Sequence, residues 1–326
     1  MKYLGHLSKK DPLFNYLRYQ IMPQTGADGR DGFRVFSSCS SHAVYIYEDR
    51  ASGSRVVGKF FGVNESDPER ARRKMYLEFH NIEKFRRFLG DNHYVARALG
   101  CNEALNFLLV IEYCYGEALD SVIIRAIFQN GENDLFDKLG ALGNFLVTVH
   151  NRSAKPVMVD FNRVCDYFEN IVGQLQDISD RQERDYFCAA ASGYRHNFLM
   201  YQDQEVLVHG DATPSNFFFG GGNYVITFDL ERMQRSDRLF DTGRIAGELQ
   251  HFFLLHTGNK YAAEPFIRHF LMEYCKPFPD QEKAFVSITS RLPFYMGMTL
   301  LRIARNNFHP GEYRRILIEE AKKTLQ

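Results

Sequence analysis

The period of the hydrophobic residues changes once along this chain, near residue 113, and that change limits the fold more than any other feature. From residue 33 to 113, short apolar runs separated by Gly, Ser and Asp residues predict five β-strands and one helix. Beyond residue 113, most apolar residues recur at helical spacing. Strands followed by helices are typical of an α+β fold. We therefore expect a small β-rich lobe over residues 1–113, including an N-terminal extension of residues 1–32, and a large helical lobe over residues 114–326, with a ligand cleft between them.

The composition argues against several classes of protein. The 326 residues carry 40 basic and 40 acidic side chains, so no net charge favours nucleic acid or an acidic membrane as a partner. No apolar run approaches the roughly 18 residues of a membrane span, and the N-terminus lacks the apolar core of a secretion signal. None of the six cysteines forms a CxxC pair, and the Cys39–His42 spacing has no second pair to complete a zinc site. We expect a cytoplasmic protein with free thiols.

The helix predicted over residues 67–90 carries a charge in an unexpected place. Glu78 falls in the middle of the apolar stripe of this helix. The stripe consists of Ala71, Met75, Phe79, Ile82, Phe85 and Leu89. A buried carboxylate is costly without a partner, and Lys59, in the apolar strand over residues 55–61, is the natural partner on the adjacent sheet. We therefore predict a Lys59–Glu78 ion pair, although either residue alone would also suit a solvated surface. Residues 1–22 carry a weaker helical pattern.

The most informative segment is the polar loop HGDATPSN, which runs from His209 to Asn216. It follows a predicted strand at 206–208 and precedes a hairpin, at whose end Asp229 lies. Phosphoryl transfer needs one carboxylate to orient the attacking hydroxyl and oxygen ligands to hold Mg²⁺. Asp211 matches the first role, and Asn216 and Asp229 match the second. Turn-capping Asp and Asn residues are the alternative, but the register of loop, hairpin and Asp229 favours a catalytic site.

This loop and the segment ITFDLE after it resemble those of the aminoglycoside phosphotransferase and choline kinase family, a branch of the protein-kinase-like fold. Gly210, where eukaryotic-type protein kinases have Arg, favours the small-molecule branch. The resemblance implies a two-lobed kinase-like fold, ATP or GTP as phosphoryl donor, Mg²⁺, and a hydroxyl group as acceptor. It assigns Lys59 and Glu78 to the α- and β-phosphates. It also implies that Asp241, twelve residues after Asp229, braces the catalytic loop.

Two further nucleotide contacts follow from the same resemblance. The segment LLVIEYC resembles the hinge between kinase lobes, which assigns the Glu112 carbonyl and the Cys114 amide to adenine. The turn SSCSS takes the place of a glycine-rich loop, so Ser38, Ser40 and Ser41 are candidates to bind phosphate. This turn contains no glycine, which departs from the protein-kinase pattern. A plain strand and a simple hairpin turn remain alternatives for the two segments.

The acceptor is less constrained by the sequence. Residues 117–205 contain fourteen acidic and eight basic side chains, which favours a cationic acceptor such as an amino sugar or amino alcohol. A solvated helix surface would give the same excess, and neutral sugars remain open. His150, at the end of a strongly amphipathic helix, is expected to be structural.

Two other classes of protein remain open. A protein Ser/Thr kinase would need a longer activation segment than the twelve positions from Asp229 to Asp241. An inactive nucleotide-binding scaffold usually lacks the base, a metal ligand or the lysine, all of which are present here. An ATPase assay with and without acceptors would separate these alternatives.

Overall fold

The computed structural model describes residues 1–37 and 43–326, which form two compact units. The first unit comprises Met1–Arg87, Tyr94–Tyr115 and Ile226–Glu231, and the second comprises Phe88–His93, Gly116–Val225 and Arg232–Gln326. Ile226–Glu231 therefore belongs to the first unit, although the residues before and after it in the sequence belong to the second.

The strands and helices follow in a mixed order. In chain order they are β1 (Lys2–His6), α1 (Pro12–Tyr16), β2 (Phe33–Ser37), β3 (Ala43–Asp49), β4 (Arg55–Phe60), α2 (Pro68–Arg86), β5 (His93–Val95), β6 (Ala98–Asn102), β7 (Leu108–Glu112), β8 (Glu117–Ala118), α3 (Leu119–Phe128), α4 (Glu132–Ser153), α5 (Phe161–Gly173), α6 (Arg181–Arg195), β9 (Val206–Val208), β10 (Phe217–Phe219), β11 (Val225–Thr227), β12 (Gln234–Ser236), α7 (Leu239–Thr257), α8 (Glu264–Cys275), α9 (Gln281–Ala304) and α10 (Gly311–Thr324). The α+β fold class expected from the sequence is confirmed.

The first unit is built on a six-stranded antiparallel sheet in the order β1-β2-β3-β4-β7-β6. Helix α2 packs against β6 and β7. Its start follows the sequence prediction, because the Asp67 side chain accepts a hydrogen bond from Glu69 N and Pro68 opens the helix. Side chains alternate between the two faces of a strand, so Lys59 and Val56 on β4 lie on opposite faces of the sheet.

The N-terminal residues contribute more than the weak helical pattern of residues 1–22 predicts. Helix α1 begins only at Pro12, and residues Lys2–His6 form β1, which pairs with β2 at the edge of the sheet. Four of the five residues of β1 are exposed, so the strand carries no alternating burial that a sequence pattern could reveal. The segment after it covers the Val56 face of the sheet. Its apolar side chains join one buried cluster with the sheet, which includes Phe14, Leu17, Ile21, Met22, Phe33, Tyr47, Val56, Leu108 and Val110.

The second unit is mainly helical, and its helices α7 and α9 pack closely together. Gly243 on α7 lies against Tyr295 on α9, where an added Cβ would come 2.3 Å from the Tyr295 Cβ. One turn later, a Cβ on Gly247 would come 2.7 Å from the Thr299 Cβ. The absence of side chains at these two positions therefore allows the close approach of the helices. No helix in the described part of the chain is long and apolar enough to cross a membrane.

This close approach predicts opposite effects for two glycine-to-alanine substitutions. Gly243→Ala should lower the free energy of unfolding by about 1–3 kcal/mol, because the added methyl group overpacks the α7–α9 contact. Gly193→Ala is the matched control, since an added Cβ in this last turn of α6 meets nothing within 4 Å. It should raise stability by about 0.5 kcal/mol. Urea unfolding measures both values, and a stabilised Gly243→Ala protein would contradict the packing argument.

Candidate active site

Lys59 on β4 lies between two carboxylates of the first unit. Its Nζ atom is 2.7 Å from Glu78 Oε1 and 2.8 Å from Asp229 Oδ1. Glu78, on α2, is fully buried, and Lys59 is 7% exposed. The ion pair predicted from the helical stripe is therefore present, and Asp229 adds a second carboxylate to it.

The protonation of this cluster follows from burial and charge together. Burial alone would lower the pKa of Lys59, but the carboxylates of Glu78 and Asp229 outweigh burial and raise it, so the lysine stays protonated. Burial raises the pKa of Glu78, and the positive charge of Lys59 opposes that rise. Within the described residues, Glu78 Oε2 has no hydrogen-bond partner. Oxygen atoms of Glu78, Asp229 and Glu231 lie within 4.8 Å of one another, a donor set that suits a hard divalent cation.

The backbone around Asp229 is fixed by α2 and by an adjacent backbone segment. Asn81, three residues after Glu78 on α2, donates a hydrogen bond from Nδ2 to the Leu230 carbonyl at 2.8 Å. Ala96 N donates to the Thr227 carbonyl at 3.1 Å. Asp229 itself has a φ of +64°, in the left-handed region that aspartate tolerates better than most residues.

In the second unit, Asp241 holds the loop that begins at His209. The Asp241 carboxylate is fully buried in the first turn of α7 and accepts hydrogen bonds from His209 N at 2.6 Å and Gly210 N at 3.0 Å. His150 Nε2 lies 3.2 Å from the same carboxylate, and His150 Nδ1 lies 2.7 Å from the Tyr274 hydroxyl. Burial lowers the pKa of His150. This buried histidine therefore supports Asp241.

Gly210 is required by the backbone of this loop. Its φ is +82°, and a Cβ at this position would lie 1.9 Å from the Arg232 carbonyl oxygen. A side chain at residue 210 would therefore force the loop and the backbone of Arg232 apart. The glycine that the sequence places before Asp211 is a steric requirement of the loop.

Asp211 and Asn216 lie together on the same loop. The Asn216 Nδ2 atom donates to the Asp211 carbonyl at 2.9 Å, and Thr213 N donates to the same oxygen at 2.7 Å. Asn216 N in turn donates to the Thr213 carbonyl at 3.0 Å. These three bonds fix the spacing between the side chains of Asp211 and Asn216.

Three arginines surround the Asp211 carboxylate. Arg302 Nη2 lies 2.6 Å from Oδ1, Arg232 Nε lies 3.7 Å from Oδ2, and Arg244 Nη2 lies 3.9 Å from Oδ1. Burial alone would raise the pKa of Asp211, but the charges of Arg302, Arg244 and Arg232 outweigh burial and lower it. Asp211 is therefore ionised at neutral pH. No local sequence pattern identifies these arginines, because Arg244 and Arg302 lie on two different helices, α7 and α9.

The remaining predicted nucleotide residues lie at the end of the first unit or outside the described residues. Glu112 ends β7, and its carboxylate accepts hydrogen bonds from the Tyr94 hydroxyl and from Arg97 Nε. Cys114 follows two residues later, and burial raises the pKa of its thiol to about 12. The assignment of both residues to adenine concerns backbone groups and stays a prediction. Ser38, Ser40 and Ser41 lie outside the described residues, as do Cys39 and His42.

Comparison with known proteins agrees with this fold and shows the class of protein, a kinase-like phosphotransferase. The model of the phosphotransferase enzyme family (APH) matches residues 33–273, and the chain belongs to this family. No curated protein matches the chain by sequence.

Solved structures of low sequence identity share the fold along almost the whole chain. A Plasmodium vivax ethanolamine kinase has a TM-score of 0.60 at 14% identity, over 98% of this chain and 91% of that chain. Aminoglycoside 2'-phosphotransferase-IIIa in its GDP complex has a TM-score of 0.59 at 17% identity, over 95% and 99%. ADP-bound aminoglycoside phosphotransferase APH(2'')-Ib has a TM-score of 0.57 at 13% identity, over 96% and 97%.

The Lys59–Glu78 pair predicts a strong energetic coupling in a double-mutant cycle. Lys59→Met should lower the free energy of unfolding by up to about 3–5 kcal/mol, because it leaves Glu78 buried without a cation. Glu78→Leu should cost less, since Lys59 keeps Asp229 as a partner. The double variant should recover much of the loss, with a coupling of about 1–3 kcal/mol.

The control for this cycle is the exposed Arg72–Glu103 pair of the same unit, 3.1 Å apart. Its coupling should stay below about 1 kcal/mol, as is usual for exposed ion pairs. Urea unfolding of both sets of variants gives the two couplings. Additive effects at Lys59 and Glu78, within about 0.5 kcal/mol, would contradict the buried pair.

Proposed function

We propose that this protein transfers the γ-phosphoryl group of ATP, together with Mg²⁺, to a hydroxyl group of a small molecule. The observation that carries the proposal is the protonated Lys59 held between Glu78 and Asp229, since a fixed buried cation suits the phosphates of a nucleotide. Membership of the phosphotransferase family supports the reaction class. The names of similar structures include an ADP-bound and a GDP-bound enzyme, so GTP is the second candidate donor.

Asp211 is the proposed residue for the acceptor hydroxyl. In the transfer, the hydroxyl oxygen bonds to the γ-phosphorus as the bond from that phosphorus to the leaving ADP oxygen breaks, and the hydroxyl proton passes to Asp211. A carboxylate with a lowered pKa is a weak base. Its main contribution would therefore be to orient the hydroxyl, which suits a loose phosphoryl-transfer transition state that demands little activation of the nucleophile.

Asp229 and Asn216 are the proposed ligands of Mg²⁺. A carboxylate and an amide carbonyl are hard oxygen donors, which fit this cation. The concentration of carboxylates around Asp229, against one lysine, supports a cation there. When bound, Mg²⁺ would offset the negative charge of the nucleotide phosphates. Lys59 would contact the nucleotide phosphates, and Asp211 would hold the acceptor.

Substrate screening tests the proposed reaction. ADP release is measured with ATP and Mg²⁺, with and without sugars, amino alcohols, amino sugars and a Ser/Thr peptide. Release that depends on a small hydroxyl compound supports the proposal. Release that depends only on the peptide would favour a protein kinase. Tight nucleotide binding without release under any condition would favour an inactive scaffold.

Removing the charge of Asp211 should slow turnover while leaving the nucleotide in place. Asp211→Asn is expected to reduce kcat by roughly 10²- to 10⁴-fold, because the neutral amide orients the hydroxyl less well and cannot accept its proton. The affinity for Mg·ATP should change little. Asp185→Asn, at an exposed carboxylate on α6, is the control and should retain full turnover. Turnover of Asp211→Asn within a few-fold of the native value would refute the assignment.

Removing the charge of Asp229 should uncouple nucleotide binding from Mg²⁺. Calorimetry of ATP binding with and without Mg²⁺ should show a clear Mg²⁺ dependence in the native protein and little in Asp229→Asn. Asp185→Asn, which removes an exposed carboxylate on α6, is the control and should preserve the dependence. Thermal unfolding is recorded in parallel, because Asp229 also pairs with Lys59. Unchanged Mg·ATP affinity in a folded Asp229→Asn protein would exclude Asp229 as a ligand.

A further inference from the structure

Arg244 and Arg302 form a buried cationic group beside Asp211. Their side chains are only 8% and 7% exposed, although each carries a full positive charge. Burial first and the charge of Arg244 second lower the pKa of Arg302 to about 10. The two guanidinium groups therefore repel each other in a poorly solvated place. Asp211 pairs with Arg302 at 2.6 Å, and Glu248 pairs with Arg244 at 3.0 Å, so each buried guanidinium has one carboxylate.

Within residues 1–37 and 43–326, Arg244 lacks acceptors for two of its three side-chain nitrogens. Its Nη2 atom lies 3.0 Å from Glu248 Oε1 and 3.9 Å from Asp211 Oδ1. Its Nε and Nη1 atoms are buried and have no hydrogen-bond partner in the part of the chain that the structure describes. Buried N–H donors without acceptors cost free energy, so such donors at a site indicate an acceptor that comes with a ligand.

Two more arginines continue this cationic group toward the surface. Arg232 is 43% exposed and lies 3.7 Å from Asp211 Oδ2. Arg305 follows the end of α9, is half-buried, and donates to the neutral Gln174 Oε1 at 2.9 Å. Burial first, and the charges of Arg302 and Arg232 after it, lower the pKa of Arg305, so it belongs to the same group of positive charges. Positive charge at Arg232 and Arg305 attracts a negatively charged ligand toward Asp211.

The acidic excess of residues 117–205 does not oppose an anionic ligand, because much of it is neutralised by later residues. These ion pairs join Glu183 to Arg315 and Lys322, Asp177 to Arg314, and Asp203 to Arg238 and Arg291. The acidic excess of residues 117–205 is therefore partly balanced by basic side chains from later in the chain, and it does not by itself favour a cationic acceptor. The charges close to Asp211 are a better guide to the acceptor.

We propose that the acceptor carries an anionic group, a carboxylate or a phosphate ester, which binds to Arg244 and Arg302 while the neighbouring hydroxyl meets Asp211. This inference rests on the proposed function and narrows it. The acceptor class becomes hydroxy acids and phosphorylated sugars or polyols. Simple amino alcohols become poor acceptors, because the arginines repel their positive charge.

Direct binding tests the inference without relying on turnover. Calorimetry compares matched compounds that differ in charge: glycerol with glycerate and glycerol 3-phosphate, ribose with ribose 5-phosphate, and ethanolamine and glucosamine as cations. Anionic members should bind about ten- to hundredfold more tightly than neutral ones, the effect expected from charge-assisted hydrogen bonds. Inorganic phosphate should compete with them at constant ionic strength. Equal binding of neutral and anionic members, or no binding of any anion, overturns the inference.

Variants locate the anion and separate it from the nucleotide. Arg302→Met should remove the preference for anionic compounds, Arg302→Lys should restore part of it, and Arg305→Met should weaken it while leaving the Asp211–Arg302 contact in place. Arg195→Met is the control, because this guanidinium pairs with Asp166 and Glu169 elsewhere in the unit. Thermal unfolding confirms that each variant is folded. Loss of Mg·ATP affinity in Arg302→Met with unchanged anion binding would assign the arginines to the nucleotide and overturn the inference.

Turnover with the same compounds distinguishes the two proposals. Acceptor-dependent ADP release that favours anionic compounds in kcat/KM supports both. Release that is equally fast with neutral or cationic compounds leaves the proposed function standing and overturns the anionic acceptor. Tight anion binding that depends on Arg302, with no phosphoryl transfer to any compound, supports the anion site and removes the proposed function.

Discussion

The buried ion pair between Lys59 and Glu78 is the contact on which the arrangement of the first unit depends. A carboxylate taken out of water costs several kcal/mol unless a cation meets it, and Lys59 on β4 meets Glu78 on α2. This contact fixes which face of α2 turns toward the sheet. Asn81 lies about one turn further along α2 and reaches the Leu230 carbonyl, which sets the backbone beside Asp229. One electrostatic requirement thereby positions the lysine and Asp229, which come from distant parts of the chain.

In the second unit, the buried carboxylate of Asp241 is stabilised by backbone N–H groups instead of a lysine. Asp241 has no positively charged lysine or arginine within salt-bridge distance among the described residues, and it is satisfied by the N–H groups of His209 and Gly210 and by His150. Two N–H groups on one carboxylate leave the loop little freedom to shift. Glu78 and Asp241 are thus two buried carboxylates of similar effect. The desolvation cost of each is offset only when its partner, Lys59 or the loop at His209, is in position.

The sequence could predict those parts of the site in which one residue violates its local pattern. Glu78 interrupts an apolar stripe, and the loop with Asp211 concentrates polar residues after a strand, so both were visible without coordinates. The second contact of Lys59, with Asp229, could not be predicted from the sequence, because the two residues lie 170 positions apart. The edge strand β1 was missed because its exposed side chains carry no alternation. The cationic group around Asp211 has no pattern in sequence, since it forms only when α7 packs on α9.

Two buried arginines in the same unit show why the cationic group beside Asp211 points to a ligand. Arg291 is 1% exposed and donates to Asp237 at 2.6 Å, to Asp203 at 2.8 Å and to the Ser287 carbonyl at 3.1 Å, so all three of its nitrogens have acceptors. Arg244 is buried almost as deeply, yet two of its three nitrogens lack an acceptor among the described residues. Burial alone therefore does not prevent this fold from satisfying a guanidinium completely. The unmatched N–H groups belong to Arg244, beside Asp211, the carboxylate proposed to hold the acceptor. A negatively charged substrate at this place would supply the missing acceptors.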